Sequence, residues 1–130
     1  MRLIASSMRN KARGFTLIEL LVVLTIVALL ASLAAPVVHT AVRRANEAAL
    51  RETLQVTRSA LDDFYADHQR YPYSLDELVE KRYLRSLPID PIVGSGNAWE
   101  LEDADEQEGI IDLHSSSSES ALDGSNYSDW

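Results

Sequence analysis

The chain has 130 residues, no cysteine, and 12 Lys and Arg against 20 Asp and Glu, a formal charge of −8 at neutral pH. This length holds one small domain and little else, and the missing cysteine excludes disulfides and thiolate metal sites. The acidity argues against nucleic acid as a partner, the more so because Arg2, Arg9, Lys11 and Arg13 all precede residue 15 with no acid among them, leaving eight basic residues to 20 acidic ones beyond.

The first element is RGFTLIELLVVLTIVALLASLAAP, residues 13–36, an apolar run interrupted by one acid, Glu19. A helix of about 20 residues rising 1.5 Å each crosses the hydrocarbon core of a bilayer, so the run is long enough to span. The basic leader keeps the N-terminus cytoplasmic by the positive-inside rule and sends the rest across. General features admit two readings: a removable secretory signal ending at the small residues Ser32, Ala34 and Ala35, or a retained anchor. Glu19 separates them, because an acid at mid-membrane costs about 2.5–3.5 kcal/mol and a secretory segment gains nothing from it. An acid kept there calls for a partner.

KARGFTLIELLVVLTIVALLA resembles the N-terminal signature of type IV pilins and type II secretion pseudopilins, with a short basic leader ending in Gly14 and Phe-Thr-Leu-Ile-Glu opening a long hydrophobic helix. The resemblance implies that prepilin peptidase cuts between Gly14 and Phe15, that the new Phe15 amine is N-methylated, and that the helix anchors the subunit before entering the core of a filament. It further implies that Glu19 meets the N-terminal amine of an adjoining subunit, and Pro36 falls where such helices carry a proline. A kink or local melting is therefore expected near residues 31–36.

From residue 39 to residue 68 there is neither Gly nor Pro. Val42, Ala45, Ala49, Val56, Ala60 and Phe64 make one apolar stripe, with Leu50, Leu54, Leu61 and Tyr65 beside it, which predicts an amphipathic helix needing a cover. Arg43, Arg44, Arg51 and Arg58 alternate with Glu47, Glu52, Asp62 and Asp63 on the other faces and read as a solvated surface, with contacts between neighbouring subunits as the alternative. Tyr71-Pro72 ends that helix. Ser74 with Glu77 three residues on is a capping box, opening a short helix to about residue 82 with Leu75, Leu78, Val79 and Tyr83 turned inward.

Pro88 and Pro91 bound an extended connector. The stretch from Tyr71 to Pro91, and LPIDP at residues 87–91 above all, is similar to the major pseudopilin of type II secretion. Beyond it the glycine-rich aromatic strand usual in that family is missing. Residues 98–101 and 109–114 read as two antiparallel strands joined by the acidic loop EDADEQEG. Ten acidic residues from Glu100 onward have no basic residue near them in sequence and read as mostly solvated.

The chain closes with DLHSSSSESALDGSNYSDW, whose Trp130 suggests a docked anchor. In major pseudopilins the corresponding loop wraps calcium, which takes six to eight oxygen ligands. The resemblance puts Glu119, Asp123 and Asp129 forward as its carboxylates, although four serines replace the usual glycine- and aspartate-rich run. The competing reading is a Ser-rich loop closed by an Asp123-Gly124 turn and pinned by Tyr127 and Trp130. His39, His68 and His114 share no metal-ligand spacing, so no zinc site is expected, and no catalytic or nucleotide-binding pattern points to an enzyme.

These readings combine into an α+β chain with a type IV pilin-like fold: a leader at 1–14, a transmembrane and assembly helix at 15–38, and a periplasmic domain at 39–130. The expected function is that of a structural subunit of a type II secretion pseudopilus, a helical homo-oligomer. Its partners would be prepilin peptidase, the inner-membrane assembly platform and minor pseudopilins. The nearest alternatives are a type IV pilus subunit, a minor pseudopilin, or a membrane-tethered periplasmic binding module.

Overall fold

The computed structural model describes residues 12–106 and 108–130. Helix α1 (Leu17–His68) is followed by α2 (Leu75–Glu80), strands β1 (Trp99–Asp103) and β2 (Ile110–Ser115), and a 3-10 turn at Tyr127–Asp129. This is the expected α+β arrangement. The chain divides between Val38 and His39 into two compact units, and α1 contributes to both.

In the unit that begins at His39, the core forms on one face of α1. Leu50, Leu54, Thr57, Ala60, Leu61 and Phe64 are buried there, joined by Leu75 and Leu78 of α2, Trp99, Ile110 and Leu113 of the sheet, and Ala121 and Tyr127 of the last segment. The expected stripe is therefore only half right. Val42 and Val56 are exposed, and the covered face is centred on Leu50, Leu54, Leu61 and Phe64. Thr57 sits on that face because its hydroxyl donates to the Thr53 carbonyl at 2.8 Å, which removes the cost of burying it.

Helix α1 stops three residues before the expected Tyr71-Pro72 corner. Gln69 turns into left-handed geometry at φ 56°, and its N–H still closes the last turn on the Tyr65 carbonyl at 2.8 Å. Pro72 then offers its carbonyl to the Ile110 N–H at 2.9 Å, tying the corner to the start of β2. Gly109 lies against that corner. At φ +134° a Cβ there would come within 2.7 Å of the Tyr71 Cβ, so both the backbone and the available space demand glycine.

The capping box forms with a shifted partner. The Ser74 side chain accepts from the Glu77 N–H at 3.3 Å, while the Glu77 carboxylate reaches back one residue further, to the Tyr73 N–H at 2.8 Å. It also accepts two hydrogen bonds from the Arg70 guanidinium. Those bonds hold the Glu77 carboxyl below its ordinary 4.5, against the opposing effect of desolvation. A carboxyl depressed by folding adds stability above its unfolded value and loses it as the pH falls through the lowered folded value. The stability difference between wild type and Glu77→Gln should hold constant at neutral pH and shrink once the pH drops below about 4, as measured by urea unfolding followed through Trp99 and Trp130 fluorescence.

Strands β1 and β2 pair antiparallel, with Trp99 opposite Ser115 and Glu102 opposite Asp112, and a bulge between Glu102 and Asp103. Both strands start one residue later than expected and run further. Trp99 is buried, its indole N–H donating to the Pro88 carbonyl at 2.9 Å. That bond fixes the connector beneath the sheet.

Candidate functional site

Residues 12–16 precede α1 without helical structure. Among the described residues nothing approaches within 4 Å of a Cβ placed on Gly14, and Phe15 is 82% exposed. Thr16 caps the helix that follows, its hydroxyl accepting the Glu19 N–H at 3.2 Å. Thr16 and Glu19 therefore stand at capping-box spacing, and Glu19 lies in the first turn, where the helix dipole favours an anion. Among the described residues no hydrogen bond or ion pair engages the Glu19 carboxylate.

The rest of this unit presents apolar side chains on every face. Leu17, Ile18, Leu24 and Leu33 are each more than 60% exposed, and the helix is long and apolar enough to cross a membrane. Its hydroxyls make no demand on the surroundings, since Thr25 donates to the Leu21 carbonyl at 2.7 Å and Ser32 to the Leu29 carbonyl at 2.8 Å. Helix α1 is continuous across Pro36, so the local melting admitted from the sequence does not occur.

At the other end of the chain, the final segment is held by one face of α1. The Arg43 guanidinium donates to the Ser120 carbonyl at 2.8 Å, and the Glu47 carboxylate accepts from both the Leu122 N–H and the Tyr127 hydroxyl at 2.8 Å. Arg51 lies 4.2 Å over the Trp130 ring, and Arg58 donates to the main-chain oxygens of Leu113 and Trp130. Trp130 also packs edge-on against Tyr127 at 5.2 Å. The cations that the acidic segment lacks in sequence come from α1. Those arginines are not merely a solvated face.

Of the expected calcium ligands, Asp123 is already engaged by neighbours. Asp123 Oδ1 accepts from the Ser125 N–H and hydroxyl at 2.9 and 2.6 Å, and Oδ2 faces Arg51 at 3.5 Å. The Ser125 bonds, with a smaller contribution from Arg51, hold this carboxyl below the usual range. Glu119, Asp123 and Asp129 do not gather among the described residues. The segment has the turn of the competing reading, with Gly124 at φ +88° closing it on the Ala121 carbonyl. Tyr127 is buried beneath it.

The prokaryotic N-terminal methylation motif matches residues 9–35, spanning Gly14, Phe15 and Glu19. Beyond the motif, the chain is 33% identical over 124 residues to type II secretion system core protein G of Klebsiella michiganensis, covering 83% of this chain and 84% of that protein. The chain belongs to the type II secretion system core protein G family. Core protein G of Pseudomonas aeruginosa is 32% identical across 64% of this chain and 70% of its own length, and that of Escherichia coli is 32% identical across 63% and 68%. No solved structure matches the chain. The likeness to core protein G thus reaches well past the apolar helix into the domain that follows.

The sequence reading set His114 aside, yet the sheet brings it beside Glu102 and Asp112. The available signal was the Asp-x-His spacing at residues 112–114, which puts both side chains on one face of a strand. Glu102 could be added only once the register of β1 was known.

Proposed function

We propose that this chain is a structural subunit of a type II secretion pseudopilus rather than an enzyme. Prepilin peptidase cuts after Gly14, the Phe15 amine is methylated, and the subunit waits in the inner membrane with its leader side cytoplasmic and residues 39–130 periplasmic. An assembly platform then moves it into a helical filament together with minor pseudopilins. The observation that carries this reading is the methylation motif at residues 9–35 on a chain related along most of its length to core protein G.

The chemistry of the helix supports it. A helix apolar on every face leaves lipid at little cost only for another apolar surface, and other copies of the same helix supply one. The Glu19 carboxylate and the Phe15 amine are each costly alone in such a bundle, and pairing across subunits recovers much of that cost. A subunit out of step buries an uncompensated charge, so the pair sets the register of assembly.

Mass spectrometry of the mature protein tests the processing step. The expected N-terminus is Phe15 carrying one methyl group. A mature chain starting upstream of residue 15 or downstream of residue 34 would remove the amine that Glu19 needs and overturn the reading.

A further inference from the structure

Among the described residues, one group of side chains has the composition of a metal site: Glu102, Asp112 and His114, whose candidate ligand atoms all lie within 4.8 Å of one another. The sheet creates the group. Glu102 and Asp112 are directly opposite in the β1–β2 ladder, and His114 stands two residues along β2 on the same face. Two carboxylates facing across a ladder repel each other. Asp112 Oδ1 is taken up by Arg58 and by the Leu113 N–H, each at 2.7 Å, which leaves Asp112 Oδ2 and the Glu102 carboxylate turned toward the histidine, within ion-pair distance of it.

The histidine is oriented from behind. Its Nδ1 lies 2.8 Å from the main-chain oxygen of Trp130, which can only accept, so Nδ1 carries a proton and Nε2 is the atom presented to the carboxylates. Nε2 is 3.6 Å from Glu102 Oε2 and 3.7 Å from Asp112 Oδ2. These separations are too long for hydrogen bonds. They are close to the spacing of ligands around an ion, since atoms about 2.0–2.2 Å from a tetrahedral zinc stand roughly 3.3–3.6 Å apart. A carbonyl-type oxygen on the far nitrogen is the usual support of a liganding imidazole.

We propose that Glu102, Asp112 and His114 bind a divalent transition ion of the zinc class, with one imidazole nitrogen and two carboxylate oxygens as ligands and water completing the shell. The nitrogen ligand sets the selectivity, because calcium and magnesium prefer all-oxygen surroundings. Glu102 is exposed, so the ion has a path from solvent. Once bound, the ion clamps β1 to β2 and, through His114, secures the segment ending in Trp130.

The test is calorimetric titration of the full-length chain, solubilised in detergent and stripped with chelator, using zinc chloride and, in parallel, calcium chloride. Wild type should take up one zinc per chain with a raised unfolding midpoint and show no response to calcium. His114→Gln and Glu102→Gln should each weaken zinc binding at least about tenfold. Glu102 is exposed, so its variant stays folded and keeps the test decisive. Absence of zinc uptake by wild type, uptake by both variants as tight as that of wild type, or a calcium response matching that of zinc would each overturn the proposal.

Discussion

Glu19→Ala is expected to insert in the membrane normally and to lose filament assembly. In the proposed filament, removing the acid strands the amine of the adjoining subunit in an apolar bundle, and breaking a buried ion pair from one side costs about 3–5 kcal/mol. Each 1.4 kcal/mol is about tenfold in an equilibrium, so filament yield should fall by at least roughly a hundredfold. The measurement is electron microscopy and shear-fraction immunoblotting of cells overexpressing the chain. Because Glu19 also occupies the capping-box position opposite Thr16, a second variant separates the two roles. Glu19→Gln keeps a side chain able to cap but carries no charge. Assembly lost in both variants assigns the effect to charge; assembly retained by Gln would assign it to helix capping and defeat the registry argument.

The second large effect is expected at Asp90, the central acid of LPIDP. Asp90 is fully buried. Its Oδ1 accepts from the Ile92 and Val93 N–H groups at 2.8 and 3.3 Å, and its Oδ2 accepts from the Ser115 hydroxyl, itself fully buried at the end of β2. One carboxylate thus closes the connector turn and fastens it to the sheet. Asp90→Ala takes this partner from three groups, and each of them that stays shut off from water costs about 1–3 kcal/mol. A total loss of about 3 kcal/mol or more lowers the unfolding midpoint by roughly 12–24 °C in a domain of this size. Asp90→Asn should lose much less, because its carbonyl still accepts from the two N–H groups and its amide can donate to Ser115. Thermal unfolding followed by circular dichroism checks both, and equal losses in the two variants would show that charge, not hydrogen bonding, is what matters.

Elements built from local rules were legible from residues alone. The Ser74–Glu77 box announced α2, the apolar run announced the first half of α1, and turn signals bracketed two strands. Local rules could not choose which apolar stripe of α1 would be covered. Val56 and Leu54 are equally apolar, and only the positions of α2 and the sheet decide that Leu54 is buried and Val56 exposed. The importance of LPIDP was visible as a resemblance, but its physical reason was not, since Ser115 lies 25 residues from Asp90. The same limit governed the end of the chain. Arg51, which lies beside Asp123, is 72 residues away from it, and His114 reads as isolated until the ladder sets Glu102 near it. Glu19 is the opposite case, because its motif was explicit while the partner proposed for it lies on another copy of the chain.

The attachment of the final segment to Arg43, Glu47, Arg51 and Arg58 has a dynamic consequence. These four side chains occupy about four turns of α1, so their grip depends on the helix being wound there. If that stretch frays, the contacts to Ser120, Leu122, Tyr127 and Trp130 come apart together, and the two regions open as one cooperative unit. Amide exchange in the last ten residues should therefore track exchange in the middle of the long helix, although the two are more than 60 positions apart along the chain.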